Sequence, residues 1–396
     1  MQLNSIDFLI GSQEKLNNIR HIKTDIPFDE RRISFLDTVS KALRSDIRNR
    51  RYPELAALAF WIRKSNMSQM ARRFASDYFR LGRGVIFHVA PSNVAVNYAY
   101  SFATGFITGN ANIVRVPSKE FEQITIINDA IRKALDTFPE YTDQIFMVRY
   151  GHEKEVNDFF SDLCDVRVIW GGDNTIATYR QSPIRPRTRE ITFADRYSIA
   201  VIDAYVYLAI ENKEHIAHDF YNDTWLTDQN ACTSPRLVVW LGEDETVEKA
   251  QKEFWQYAYK YALEHYQFQD IQGVDKLTNM YLAAVSMNGI GYVIHNDGLL
   301  YRVELDYLDS AIMNYRGDSG FFYEYHASDI SVIRPFCDND RIQTIALLGN
   351  KCLIKPLFDS GVRGIDRVVP FGHTMDFDMV WDGLNLVEHL TRSIWQ

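Results

Sequence analysis

Cysteine is scarce in this chain: Cys164, Cys232, Cys337 and Cys352 are the only four in 396 residues, and no two form a CxxC pair. That argues against a disulfide scaffold and points to a reducing compartment, so a cytoplasmic location is expected. No run of about 18 apolar residues could span a bilayer, and the opening Met1-Gln2-Leu3-Asn4-Ser5 lacks the basic start and apolar core of a secretory leader. Low-complexity tracts are missing too. The formal charge is −9 with the basic residues scattered, which leaves no phosphate-tracking stripe and argues against a nucleic-acid partner. His88, His152 and His326 lack a helical i, i+4 partner and any Cys or Glu grouping of metal spacing, so no metal is expected.

What is present is the composition of an ordered globular enzyme, with 46% hydrophobic and 24% charged residues, in a chain too long for one simple core. Apolar residues recur at helical spacing from Asp29 to about Tyr78, which predicts two or three opening helices. Alternation then sets in: a strand at Gly84–Ala90, a helix over Ala95–Thr108 closed by Gly109-Asn110, and a strand at Ala111–Val116. A helix from Glu120 to Phe138, a strand at Gln144–Arg149, a helix near Glu153–Ser161 and a strand at Val166–Trp170 continue it. Parallel sheet is the economical reading.

A second alternating block carries a helix around Lys213–Asp223, a strand at Leu237–Trp240 and a long helix from Glu245 to Tyr266. Strands at Gly291–Ile294 and Ile330–Arg334 and a helix at Arg341–Leu348 are predicted after it, then a loop at Val368–Gly372 and a final helix near Trp381–Gly383. The expected organisation is an α/β protein in three parts. Residues 1–202 form a helical N-terminal region and a Rossmann-type, dinucleotide-binding domain, 203–366 an α/β catalytic domain, and 367–396 a terminal segment packing back on the cofactor domain.

Three places carry chemistry. Cys232, in Asp228-Gln229-Asn230-Ala231-Cys232-Thr233-Ser234-Pro235-Arg236, stands just before a strand, where a thiolate can attack a carbonyl and backbone N–H groups can hold the oxyanion. A buried thiol acting only as a small hydrophobe is the other reading. Asn93 can aim an amide at the same oxyanion, or simply serve the turn after Pro91-Ser92. Gly171-Gly172, between a strand and a helix, suits close approach of a pyrophosphate to backbone N–H groups, and suits a tight turn equally.

The order Pro91-Ser92-Asn93, Gly109-Asn110, Arg115-Val116-Pro117-Ser118, Gly171-Gly172, Cys232 resembles the landmarks of the aldehyde dehydrogenase superfamily. More narrowly, Asp195-Arg196-Tyr197-Ser198, the Asp228–Arg236 string, and Asp366-Arg367-Val368-Val369-Pro370 with Trp381-Asp382-Gly383 resemble the LuxC-type acyl-CoA reductase family. The resemblance implies that Cys232 accepts the acyl group and that Asn93 is the side-chain half of the oxyanion hole. It implies further that Gly171 and Gly172 meet the pyrophosphate, that Arg115 with Ser118 approaches the adenosine ribose, and that Glu324 holds the nicotinamide ribose. Where hydrolytic members carry a water-activating glutamate, an ungapped match puts Thr192, and Glu190 matches only after a two-residue shift.

The implied activity is NAD(P)H-dependent reduction of a fatty acyl thioester to the aldehyde with release of coenzyme A. NADPH is the expected cofactor, with NADH open. Acyl-CoA or an acyl-protein is the expected substrate, an acyl-protein synthetase or acyl carrier protein the expected partner, and a homo-oligomer the expected assembly. Two rivals remain: an aldehyde dehydrogenase that releases acid with Glu190 as base, and a non-catalytic subunit of an acyl-transfer complex.

Overall fold

The computed structural model describes residues 6–91 and 94–395, which divide into two units: residues up to Ala194 together with Phe377 onwards, and Asp195–Asp376 between them. In the first unit, β1 (Asp7–Ile10), the helices Glu30–Ser45, Pro53–Trp61 and Lys64–Arg73, and β2 (Phe79–Gly82) precede an alternating stretch. That stretch runs β3 (Val85–Val89), helix Asn97–Ile107, β4 (Ala111–Arg115), helix Glu122–Thr137, β5 (Ile145–Arg149), helix Lys154–Leu163, β6 (Val166–Trp170), helix Asp173–Arg180 and β7 (Arg189–Phe193). Short apolar runs bounded by Gly, Pro and Asn make these strands, and Gly109, at φ +89°, ends the first crossover helix where a side chain would be strained.

The first sheet has the order β1-β5-β4-β3-β6-β7, parallel except at β1. Every residue of β3 and of β6 is buried, as expected for strands covered on both faces. Arg32, on the first long helix, is fully buried and holds that helix to the sheet. It donates to the carbonyls of Phe106 and Asn110 at 2.9 and 3.0 Å and to Gln144 Oε1 at 2.6 Å, with Asp25 supplying the countercharge.

The second unit begins at β8 (Tyr197–Asp203), followed by helix Lys213–Asp223, β9 (Pro235–Leu241), helix Asp244–His265, helix Asp270–Ser286, β10 (Ile290–Asn296), β11 (Leu300–Leu305), β12 (Phe321–Ala327), β13 (Ile342–Leu348) and β14 (Arg367–Pro370). Its sheet order is β10-β11-β12-β9-β8-β13-β14, parallel except for the β10–β11 pair. The cut between units lies ahead of β8, whereas the expected first domain ran on to residue 202. Residues 367–376 stay with the second unit, and 377–396 belong to the first. There β15 (Val380–Trp381) and β16 (Leu384–Asn385) form a hairpin, and β17 (Thr391–Ile394) pairs antiparallel with β2.

Several elements differ from expectation, each for a physical reason. Ile342–Leu348 is a strand and not a helix: seven consecutive buried residues, too few for a stable core helix, lie between β8 and β14. Ile330–Arg334 is not a strand but helical turns, started by the Asp329 side chain accepting from Ser331 N–H and continued by Pro335 at the first turn of the next helix. Val368–Pro370 joins the sheet edge beside β13. Trp381-Asp382-Gly383 makes a hairpin turn, with Asp382 and Gly383 at φ +48° and +70°, in place of a helix. None of β1, β2, β7, β8, β11, β12 or helix Asp270–Ser286 is among the elements expected from the sequence.

Candidate active site

Sheet order positions the first unit's candidate residues. The chain runs from β3 to β4 to β5 in one direction and from β6 to β7 in the other, so connections diverge between neighbours β3 and β6. In open α/β sheets that point leaves a crevice outside the carboxyl ends of the strands. Ala90-Pro91 leaves the end of β3, Arg115 closes β4 with Ser118 exposed just beyond, and Gly171-Gly172 follows β6. Four of the expected cofactor residues thus share one edge of one sheet. Asn93 lies outside the described residues.

Gly172 is the N-cap of helix Asp173–Arg180 and makes no side-chain cap, so the first helical N–H groups face outward, although Asp173 adds a carboxylate to the same turn. A Cβ placed at Gly172 would meet nothing within 4 Å, whereas one at Gly171 would stand 3.0 Å from Thr175 Cβ. The end of this helix is therefore an open cradle, and the residues present fit a dinucleotide pyrophosphate. Arg115 stacks 4.8 Å over the Tyr150 ring and donates to the Tyr150 and Gly151 carbonyls at 3.2 and 2.8 Å, which aims its guanidinium along this edge.

Glu190 and Thr192 share one face of β7, with buried Ile191 and Phe193 on the other. Glu190 is not a free base. One carboxylate oxygen takes Arg167 and the other Arg180 at 2.8 Å, and Arg167 is itself buried. Burial works to raise the Glu190 carboxyl pKa, but hydrogen bonds from Arg180 and Arg167 outweigh it and hold it below the ordinary value.

In the second unit the strings singled out in the sequence converge. Cys232 occupies the turn closed by Ser234 N–H donating to the Ala231 carbonyl at 3.1 Å, immediately before β9, and it is partly exposed. Ser198 Oγ, at the start of β8, donates to the Cys232 carbonyl at 2.7 Å. Arg196 pairs with Asp366, and Asp195 accepts from Arg316 at 2.7 Å and Arg341 at 3.4 Å. Arg367 donates to the carbonyls of His373, Thr374 and Asp376, and Thr233, next to the cysteine, donates to Met375 Sδ at 3.4 Å.

The strongest hold on the cysteine turn is Gln229, which motif reading had passed over. It is fully buried, and its Oε1 accepts from the N–H groups of Gly320 and Phe321 at 3.0 and 3.2 Å. Its Nε2 donates to the Pro235 and Phe321 carbonyls at 2.9 and 3.0 Å. Asp228 and Gln229 both take left-handed backbone conformations, φ +52° and +57°, which cost energy in non-glycine residues and persist only where surroundings impose them. Arg236 completes the clamp on the Gln229 and Gly317 carbonyls. Asp223 anchors the Gly372–Met375 segment: it is buried and accepts from Gly372 N–H at 2.7 Å and from Thr374 N–H and Oγ at 2.9 and 2.8 Å. Burial raises its carboxyl to about 6 against those donors.

Glu324 stands 2% exposed on β12. One oxygen accepts from Trp240 Nε1 at 2.9 Å and Trp255 Nε1 at 2.6 Å, and the other pairs with Arg302 at 2.7 Å. Both oxygens are engaged inside the second unit's core, so a ribose contact at Glu324 would require one of these partners to be exchanged.

The fold defined by these sheets is that of the aldehyde dehydrogenases. Aldehyde dehydrogenase 21 of Physcomitrella patens, solved with its reaction product succinate, superposes with TM-score 0.68 at 9% identity, over 96% of this chain and 88% of that one. Salicylaldehyde dehydrogenase of Pseudomonas putida G7 gives 0.65 at 13% identity, over 97% and 87%. The family model for acyl-CoA reductase (LuxC) matches residues 12–393, and the chain belongs to that family. The curated long-chain acyl-protein thioester reductase of Aliivibrio fischeri is 22% identical over 321 residues, which make up 79% of this chain and 64% of that protein. The chain thus spans slightly less than two thirds of that relative's length. Among the described residues no helix is long and apolar enough to cross a membrane.

Proposed function

We propose that this protein reduces a fatty acyl thioester to the aldehyde through a covalent acyl thioester on Cys232, with NADPH, or alternatively NADH, as the hydride source. The observation that carries the reading is the contrast among thiols. Cys164 and Cys337 are fully buried, and burial pushes both up to about 12, far from a usable thiolate. Cys352 is exposed on a short helical turn. Cys232 alone combines partial exposure with a turn held by buried hydrogen bonds.

In this reaction the Cys232 thiolate attacks the thioester carbonyl. The Cys232 N–H and the Asn93 amide stabilise the oxyanion, and coenzyme A leaves as its thiolate, taking a proton from solvent. Gly171, Gly172, Arg115 and Ser118 would hold reduced nicotinamide, which when bound would supply a hydride. The carbonyl carbon gains that hydride, the C–S bond to Cys232 breaks, and aldehyde departs with the thiolate restored. An ion-paired Glu190 of lowered pKa is a poor base for water, which favours a thioester that survives to be reduced over one hydrolysed to acid. Coenzyme A, an acyl carrier protein or an acyl-protein synthetase are the donors consistent with family membership.

The test is incubation with isotopically labelled acyl-CoA in the absence of nucleotide, then mass mapping. The label should sit on the peptide containing Cys232 and leave as aldehyde when NADPH is added. Label on another residue, or release only as acid, overturns the reading.

A further inference from the structure

The expectation of no metal rested on His88, His152 and His326; helix Lys213–Asp223 carries a different set. His215, His218 and Asp219 stand at i, i+3 and i+4, the spacing that puts three side chains on one helical face. Their donor atoms all lie within 4.8 Å of one another. The Asp219 carboxylate lies between the rings, 3.5 Å from His215 Nε2 and 3.1 Å from His218 Nδ1. Around a tetrahedral zinc with bonds of about 2.1 Å, neighbouring donors stand roughly 3.4 Å apart, so small side-chain rotations close this set on one ion.

Two further features fit a ligating role. The Asn222 side chain borders the His218 ring, its Nδ2 3.2 Å from Nε2 and 3.4 Å from Nδ1, so turning the amide to present Oδ1 would let it accept from the Nε2–H of a metal-bound imidazole. Asp219 is itself largely covered, its side chain 20% exposed, with Gly372 packed so close that a Cβ there would lie 3.0 Å from the carboxylate carbon. The carboxylate is thus held in place while the two imidazoles are open to solvent.

We propose that His215, His218 and Asp219 form a binding site for one divalent transition cation, zinc foremost, with the remaining coordination positions left to water or an exogenous ligand. Nitrogen and carboxylate donors without thiolate suit zinc, nickel or copper over calcium or magnesium. The ligand Asp219 abuts the Gly372–Met375 segment, which reaches Thr233 beside Cys232, so the cation would sit one side chain from the support of the cysteine turn.

Zinc alone is the probe. The full-length protein, freed of metal by chelator and dialysis, is titrated against a chromophoric zinc indicator, with the variants His215→Ala, Asp219→Asn and Cys232→Ala in parallel. One zinc per chain should bind in wild type and in Cys232→Ala, at least tenfold weaker in His215→Ala and in Asp219→Asn. Cobalt substituted at the site should give ligand-field bands without a thiolate charge-transfer band. Unchanged affinity in His215→Ala, or loss of the zinc only in Cys232→Ala, overturns the site. Thermal midpoints without metal verify that each variant folds.

Discussion

The two units handle the backbone around their candidate groups in opposite ways. In the first, β6 leads into a helix with no side-chain cap, which Gly172 begins with open space around it. In the second, the turn before β9 is bolted down by Gln229, Arg236 and Ser198, through two successive left-handed residues. The contrast matches what each proposed chemistry demands. A pyrophosphate is met by exposed N–H groups and needs room, whereas a nucleophile must be aimed to within a fraction of an ångström.

The largest effect that could break this contrast is at the thiol. Cys232→Ala should reduce aldehyde formation from acyl-CoA by on the order of 10⁴-fold or more, as removal of a nucleophile does elsewhere, while the thermal midpoint stays close to wild type. Turnover that survives the substitution would leave the bolted turn without its purpose. Next comes the bolt. Gln229→Ala would strand buried backbone groups of Pro235, Gly320 and Phe321 and should cost about 3–5 kcal/mol in urea unfolding. The alkylation rate of Cys232 should change as well. A stability loss with unchanged alkylation would reduce Gln229 to a packing residue with no hold on the thiol.

The same contrast explains what could be read in the sequence. Strands and helices from Val85 to Arg180 were legible because Gly, Pro and Asn punctuate short apolar runs at each junction. Beyond Ile290 the runs are ambiguous in period, and Ile342–Leu348 can be told from a helix only by its place between two strands. Cys232 stands out in the sequence because the chemistry proposed for it is local. Its supports do not: Gln229 reaches Phe321, 92 residues on, and Arg196 meets Asp366, 170 residues on. The partners of carboxylates are hidden for the same reason. Glu190 and Glu324 read in the sequence as functional acids, and only the fold shows their partners: Arg167 and Arg180 on the first, Arg302 and two tryptophan N–H groups on the second.

Acid should separate the units. In the first, rigidity lies beneath the loops: the neutral His88 ring is buried, Nε2 donating to Asn112 Oδ1 at 2.9 Å and Nδ1 accepting from Ser101 Oγ at 2.7 Å, while Trp170 Nε1 donates to that Oγ. Burial lowers this imidazole to about 4, outweighing the Asn112 hydrogen bond. With an unfolded value near 6.5, the unfolded chain binds more protons between those limits. The stability contributed by the neutral ring is therefore full above about pH 6.5 and is lost as pH falls towards 4, by about 3 kcal/mol. Asp223 in the second unit has the opposite sign: its folded pKa is raised, so acid relieves a buried charge. Hydrogen exchange at pH 5 against pH 7 should show the first unit losing protection ahead of the second, and His88→Asn should flatten that dependence. Equal loss in both units would mean that neither group governs its own unit.

The smallest expected effect tests the open side directly. Gly172 has φ −63° and ψ 167°, a conformation any residue adopts, and a Cβ there has no neighbour within 4 Å. Gly172→Ala should therefore leave folding within about 0.5 kcal/mol of wild type. The added methyl would stand where a pyrophosphate approaches the helix N-terminus, so the Michaelis constant for reduced nicotinamide should rise roughly tenfold, about 1.4 kcal/mol, with little change in kcat. Gly171→Ala is the matched control, because its Cβ meets Thr175 at 3.0 Å and must displace a side chain, which lowers the thermal midpoint as well. If Gly172→Ala changes neither cofactor binding nor stability, the emptiness beside this helix is incidental, and the nucleotide must be held by groups elsewhere on the strand ends.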